Sequence, residues 1–113
     1  MIDEVRIVEV GPRDGLQNIY EPISTVQKKI YIDMLSEAGC SEIEVTSFVS
    51  PKWVPQLADA KDISASIQRN EHTTYTALVP NKKGLEAAME SGYRSVAIFT
   101  AASETFSQKN INC

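Results

Sequence analysis

Residues 73–100 read TTYTALVPNKKGLEAAMESGYRSVAIFT, and this stretch decides the fold class. The run 73–79 is made of Thr, Tyr, Ala, Leu and Val, which suits a pleated, buried strand. Pro80-Asn81 breaks it. Residues 82–91 then predict a short helix that ends at Gly92, since glycine readily takes the left-handed backbone that closes helices. Residues 94–100, RSVAIFT, predict a further strand. Strand, helix and strand in succession form a βαβ unit, with parallel strands and a right-handed crossover.

The same alternation extends toward the N-terminus. Residues 4–10 are rich in β-branched residues, and Gly11-Pro12 ends that run. A polar loop, RDGLQN, follows. A helix is expected from about Ser24, a suitable N-cap, to Gly39, with Ile23, Val26, Ile30, Met34 and Ala38 as its buried face. A strand is expected near 42–46, EIEVT, and a helix near 56–69 with Leu57, Ala60, Ile63 and Ile67 on one side. Strands alternating with helices indicate an α/β fold with a parallel sheet. No Gly-x-Gly-x-x-Gly follows the first strand and no P-loop occurs, which favours a barrel over a dinucleotide-binding sheet. A closed (β/α)8 TIM barrel takes eight strands and typically about 250 residues. The 113 residues here supply only about the first four strands and three helices of one.

Composition narrows the function classes. With 42 % hydrophobic and 23 % charged residues, the chain has the make-up of a folded domain, not of a disordered one. The net charge is −4, from 15 acidic and 11 basic residues, and without a basic run nucleic acid is a poor partner. No apolar stretch approaches the roughly 20 residues that span a membrane. The opening MIDEVRIVEV is acidic and resembles neither a secretory signal nor a mitochondrial presequence. A cytoplasmic location is therefore expected, or a mitochondrial one if a leader has been removed. Cys40 and Cys113 show no CxxC spacing, so neither zinc nor redox chemistry is suggested. Cys40 is expected to be a small buried hydrophobe, and the terminal Cys113 is read as a sign of truncation.

In a barrel, chemistry collects at the C-terminal ends of the strands. The polar residues there are Arg13, Asp14, Gln17 and Asn18, then Glu44, Thr46 and Ser47, then Asn81, then Ser103, Glu104, Lys109, Asn110 and Asn112. They form one expected cluster from four loops. A carboxylate beside a guanidinium, backed by a second carboxylate, suits a hard divalent cation and an anionic or carbonyl substrate. Glu44 alternates with Ile43 and Val45. If those two face the helices, Glu44 points into the barrel and needs a partner, for which Arg13 is the nearest candidate. A purely structural ion pair is the alternative at this point. His72, the single histidine, is expected in an exposed loop at the opposite end. Phe48 and Trp53 either line a loop over the site or anchor it from below.

The run VGPRDGLQN, residues 10–18, resembles the opening motif of the 3-hydroxy-3-methylglutaryl-CoA lyase family. The wider aldol–Claisen, pyruvate carboxyltransferase-like superfamily shares only the shorter Arg-Asp-Gly-x-Gln core. IEVTSFVSPKWVPQLAD (residues 43–59), VPN (79–81) and SETFSQKNIN (103–112) resemble the lyase branch as well. The motifs run in order along essentially the whole chain. The resemblance implies that residues 1–113 are the N-terminal part of a single TIM-barrel catalytic domain. It implies cleavage of 3-hydroxy-3-methylglutaryl-CoA to acetyl-CoA and acetoacetate, as in leucine degradation, with Mg2+ or Mn2+. By the same resemblance Asp14 is a metal ligand, and Arg13 contacts the thioester end and stabilises the enolate. Glu44 is held near that arginine and counts with it as catalytic, while Gln17, Ser47 and Asn110 join Arg13 in binding substrate. The family's His-x-His pair, late Asn and catalytic cysteine have no match here, and neither Cys40 nor Cys113 is that cysteine. The implied partners are an acyl-CoA substrate, the C-terminal half of the barrel and, for the full-length enzyme, further copies in a homo-oligomer. Lys52 and Lys109 meet CoA phosphates or only solvent.

Two other readings stand beside the lyase. One is a condensing acyl-CoA synthase of the same superfamily, against which SFVSPKW argues. The other is a non-catalytic, truncated half-barrel whose open sheet edge would make it associate. On every reading the chain alone is expected to be inactive.

Overall fold

The structure, a computed structural model, describes residues 5–19, 21, 23–50, 52 and 54–98. Helix α1 (Thr25–Glu37) starts where Ser24 can cap it. The Ser24 hydroxyl accepts the Gln27 N–H at 3.1 Å, and the Gln27 side chain accepts the Ser24 N–H at 3.2 Å. This reciprocal box satisfies two donors that a helix start leaves open. Gly39, with φ of 94°, closes α1 in a Schellman turn, in which the Cys40 and Gly39 N–H groups bond back to the carbonyls of Leu35 and Ser36. The chain continues through β1 (Glu42–Ser47), a 3-10 turn (Pro55–Leu57), α2 (Ala60–Ser66), β2 (Thr74–Leu78), α3 (Lys82–Glu90) and β3 (Ser95–Ala97). Asn81 caps α3 by accepting the Gly84 N–H at 2.9 Å, and Gly92 closes it as Gly39 closes α1.

The three strands are parallel and lie in the order β1-β2-β3. Spatial order follows chain order without the reversal that defines a doubly wound sheet. Ile32 of α1, Ile63 of α2 and Ala88 of α3 pack in one cluster with Ile43 and Val45 of β1 and Tyr75 and Ala77 of β2. All three helices therefore cover the same face, as in an arc of a barrel, and the opposite face is left for chemistry.

The strand expected at 4–10 is reduced, among the described residues, to one parallel bridge between Glu9 and Ile43. Its two hydrogen bonds, Glu9 N–H to Glu42 O and Glu44 N–H to Glu9 O, are both 2.9 Å. The bridge lies on the edge of β1 away from β2, where the first barrel strand belongs. Pairing spreads no further because Val5 and Ile7 are exposed, with nothing packed over them, and the chain turns at Pro12.

The buried face of α1 also differs from expectation. Val26, Ile30, Met34 and Ala38 are exposed and Ile23 is half-buried, whereas Lys28, Ile32 and Ser36 are buried. Both sets recur at helical spacing, so periodicity alone does not choose between them. Polar partners do: Lys28 reaches Asp59, and the Ser36 hydroxyl meets the Tyr75 hydroxyl at 2.8 Å. The α2 expectation holds for the packing, since Leu57, Ala60, Ile63 and Ile67 are all buried, although the α-helix itself begins only at Ala60. Cys40 is half-buried against the core, and His72 is exposed. Cys113 lies outside the described residues. Among those residues no helix is long and apolar enough to cross a membrane.

Helix α3 approaches the segment after β1 closely at Gly84, which is buried. A Cβ there would sit 2.8 Å from Phe48 O and 2.9 Å from Pro80 Cδ. Gly84→Ala is expected to cost about 1–3 kcal/mol, the usual scale of overpacking, and to appear as a lower thermal unfolding midpoint.

Candidate functional site

The site begins with one carbonyl. Val10 O receives the N–H groups of Arg13, Asp14 and Gly15 at 3.2, 2.7 and 3.3 Å, which closes a wide π-type turn over Gly11–Gly15. Pro12 fits the start of this turn because it has no N–H to satisfy. Gly11 fits because its N–H donates to Glu9 Oε1 at 2.9 Å, and a Cβ there would overlap the Tyr31 hydroxyl. The Asn18 amide donates to Asp14 O at 2.9 Å and closes the far side of the turn.

This turn carries Arg13 back over β1. Arg13 Nε donates to Glu44 Oε1 at 2.9 Å, and its Nη1 lies 3.3 Å from Asp14 Oδ1. Glu44 is only 6 % exposed. A buried carboxylate is strongly disfavoured unless paired, and the guanidinium supplies a charge-assisted hydrogen bond. Glu44 takes the side expected for it, since Ile43 and Val45 belong to the helix-facing core. Asp14, by contrast, has 55 % of its side chain exposed. A guanidinium has five N–H donors, and these two contacts do not use them all. The arrangement thus presents a fixed cation next to an open carboxylate, and both can address the oxygens of an anionic or carbonyl ligand.

A β-bulge brings Ser47 to the same side. The β1–β2 register steps from Glu44 opposite Thr76 to Thr46 opposite Ala77 and Ser47 opposite Leu78. Tyr75 and Ala77 face the helices, so Thr76 and Leu78 face away from them. Strict alternation would separate Glu44 from Ser47, and the extra residue restores them to one face. The Ser47 hydroxyl donates to Leu78 O at 2.9 Å. Thr46, expected in the polar cluster, lies instead on the helix side, where the bulge sets it beside Ala77. Its buried hydroxyl has no hydrogen-bond partner among the described residues.

The other expected residues divide three ways. Gln17 follows the Arg13 turn and is half-buried, and the Asn81 side chain is engaged in capping α3. Phe48 anchors its segment, with its ring edge-on to Tyr93 at 6.0 Å, and Lys52 is exposed. Trp53, Ser103, Glu104, Lys109, Asn110 and Asn112 lie outside the described residues. Sequence reasoning missed a network of Thr25, Lys28, Gln56 and Asp59 beside the site, and its only sign was a lysine four residues before Ile32 on the helix.

Among the described residues no group of three or more His, Cys, Asp or Glu side chains converges to hold a metal. Beside Arg13, Asp14 offers a solvent-facing carboxylate. Such a hard oxygen donor fits Mg2+ or Mn2+, which keep several waters and substrate oxygens in their shell.

The family model described as HMGL-like matches residues 4–113. Over 110 residues the chain is 59 % identical to a 3-hydroxy-3-isohexenylglutaryl-CoA/hydroxy-methylglutaryl-CoA lyase of Pseudomonas aeruginosa, covering 97 % of this chain and 37 % of that protein. It is 59 % identical over 109 residues to the mitochondrial hydroxymethylglutaryl-CoA lyase of Homo sapiens, covering 96 % of this chain and 34 % of that one. The chain thus spans about a third of the length of these curated relatives. Among solved structures, the HMG-CoA lyase of Brucella melitensis superposes with a TM-score of 0.89 at 50 % identity, over 99 % of this chain and 40 % of that one. An HMG-CoA lyase of Acinetobacter baumannii in complex with coenzyme A and 3-methylmalate gives 0.88 at 38 % identity, over 94 % and 35 %. The arc of parallel strands is accordingly the first portion of a TIM barrel.

Proposed function

Because the chain belongs to the HMGL-like family, we propose that it is the N-terminal part of a lyase that cleaves 3-hydroxy-3-methylglutaryl-CoA to acetyl-CoA and acetoacetate. The observation that carries this reading is the Arg13–Glu44 pair, a guanidinium fixed by a buried carboxylate at the catalytic end of the sheet, with the open Asp14 beside it.

The reaction removes the proton of the C3 hydroxyl and breaks the C2–C3 bond. The electron pair stays on C2 as an enolate whose charge sits on the thioester oxygen, and C2 is then protonated. Arg13 donates N–H groups to that oxygen, where the charge develops. Glu44 keeps the guanidinium oriented, so that no reorganisation is needed as the bond breaks. Asp14 would hold a divalent cation, Mg2+ or Mn2+, which when bound would make the hydroxyl proton easier to lose. Gln17 and Ser47 line the acyl pocket, and the family resemblance assigns Asn110, outside the described residues, to binding the same substrate. The coenzyme A in the Acinetobacter baumannii lyase supports an acyl-CoA as the substrate. The remaining strands of the barrel supply the groups that remove and return protons.

The test is product analysis. The complete enzyme should release acetoacetate and acetyl-CoA from 3-hydroxy-3-methylglutaryl-CoA in the presence of Mg2+, while residues 1–113 alone should show no turnover. Condensation of acetyl-CoA with a 2-oxo acid, without cleavage, would assign the protein to the synthase branch instead.

A further inference from the structure

We propose that Lys28, Asp59 and Gln56 form a positioning network that fixes the two loops of the site against each other. These are the turn that carries Arg13 and Asp14 and the segment that follows Ser47. The inference rests on the lyase reading above. Lys28 lies in the first half of α1 and is only 4 % exposed, where an ammonium is costly unless it is paired. Its Nζ donates to Asp59 Oδ1 at 2.7 Å and to the Gln56 carbonyl. The Thr25 hydroxyl donates to the other Asp59 oxygen at 2.6 Å. Asp59, the residue that opens α2, is therefore held by two residues of α1.

Gln56 extends the chain of contacts. Its side-chain amide donates to Ile19 O at 2.6 Å and to Glu21 O at 3.0 Å. Those carbonyls belong to the segment that leaves the Arg13 turn. One series of hydrogen bonds thus runs from α1, through the entry to α2, to the exit of the turn that presents Arg13 and Asp14. The apolar cluster of Ile32, Ile43 and Ile63 already joins α1 to β1 and α2. A buried ion pair adds little stability over apolar packing of the same volume. Its directional bonds are suited to setting the spacing of two loops. A displacement of about 1 Å in reacting groups can cost about 10²-fold in rate.

The test uses the complete enzyme with 3-hydroxy-3-methylglutaryl-CoA and two variants. Gln56→Glu keeps the shape but replaces a donor with an acceptor that faces two carbonyls. Lys28→Met removes the ammonium. Both are expected to lower kcat by about ten-fold or more, with a smaller change in KM, and to speed amide hydrogen exchange in residues 16–19. Wild-type kcat per folded molecule, even with a lowered Tm, would reduce the network to a structural role and overturn the proposal. If Lys28→Met does not fold, Gln56→Glu decides alone. If the wild-type enzyme cleaves no substrate, the lyase reading fails by itself, and unchanged exchange in residues 16–19 of Gln56→Glu then overturns the network too.

Discussion

Arg13→Met in the complete enzyme is expected to lower kcat for cleavage by about 10²-fold or more, the scale of removing one oxyanion donor. Methionine keeps much of the length and apolar stem of arginine but carries neither charge nor N–H. If Arg13 acts on the enolate, the loss falls on kcat, because that charge exists only as the bond breaks. A residue that served only to bind CoA phosphates would raise KM and leave kcat intact. The variant also strands Glu44, which is 6 % exposed and bonded to Arg13 at 2.9 Å. Removing one partner of a buried pair typically costs about 3–5 kcal/mol, so a lower unfolding midpoint should accompany the kinetic loss. Arg13→Lys separates the two effects. It restores a charge near Glu44, yet without the planar fork it should recover stability better than rate.

Asp14→Asn should act on metal dependence instead. Asp14 follows Arg13 directly in the wide turn, and 55 % of its side chain is exposed. The substitution keeps shape and hydrogen bonding while removing the negative charge. If Asp14 is a direct ligand, half-activation should need far more Mg2+ than in the wild type. An aspartate that merely braced the turn, or merely paired with Arg13 at 3.3 Å, would leave the midpoint in place and lower thermal stability. A metal titration with an unshifted midpoint would therefore reject coordination by Asp14.

Some of this site can be read directly from the chain. The inward direction of Glu44 follows from its place between Ile43 and Val45, because a strand with one apolar face leaves its alternate residue no other side. The start of α1 follows from Ser24 and Gln27, whose side chains and backbones satisfy each other locally. The buried side of α2 follows from Leu57, Ala60, Ile63 and Ile67, since that helix has one apolar stripe. The face of α1 does not follow, because Val26, Ile30 and Met34 compete at the same spacing with Ile32 and Leu35. What selects between them is tertiary: Asp59 for Lys28, and Tyr75 for Ser36. The bulge that turns Ser47 toward Glu44 has no glycine or proline to announce it, and it emerges only from the pairing with β2. Among the described residues the first strand is reduced to the Glu9 bridge, because β-branched content alone does not pair a strand whose Val5 and Ile7 are left exposed.

We propose that Glu44 serves the reaction through Arg13. A double-mutant cycle tests it most directly, with acetoacetate release from 3-hydroxy-3-methylglutaryl-CoA measured for wild type, Arg13→Met, Glu44→Gln and the double variant of the complete enzyme. Glu44→Gln should lower kcat less than Arg13→Met does, and the double variant should be no slower than Arg13→Met, because a residue that acts only by orienting Arg13 has nothing left to orient. Losses that simply multiply, with the double variant slower than Arg13→Met by the full factor of Glu44→Gln, would contradict the account.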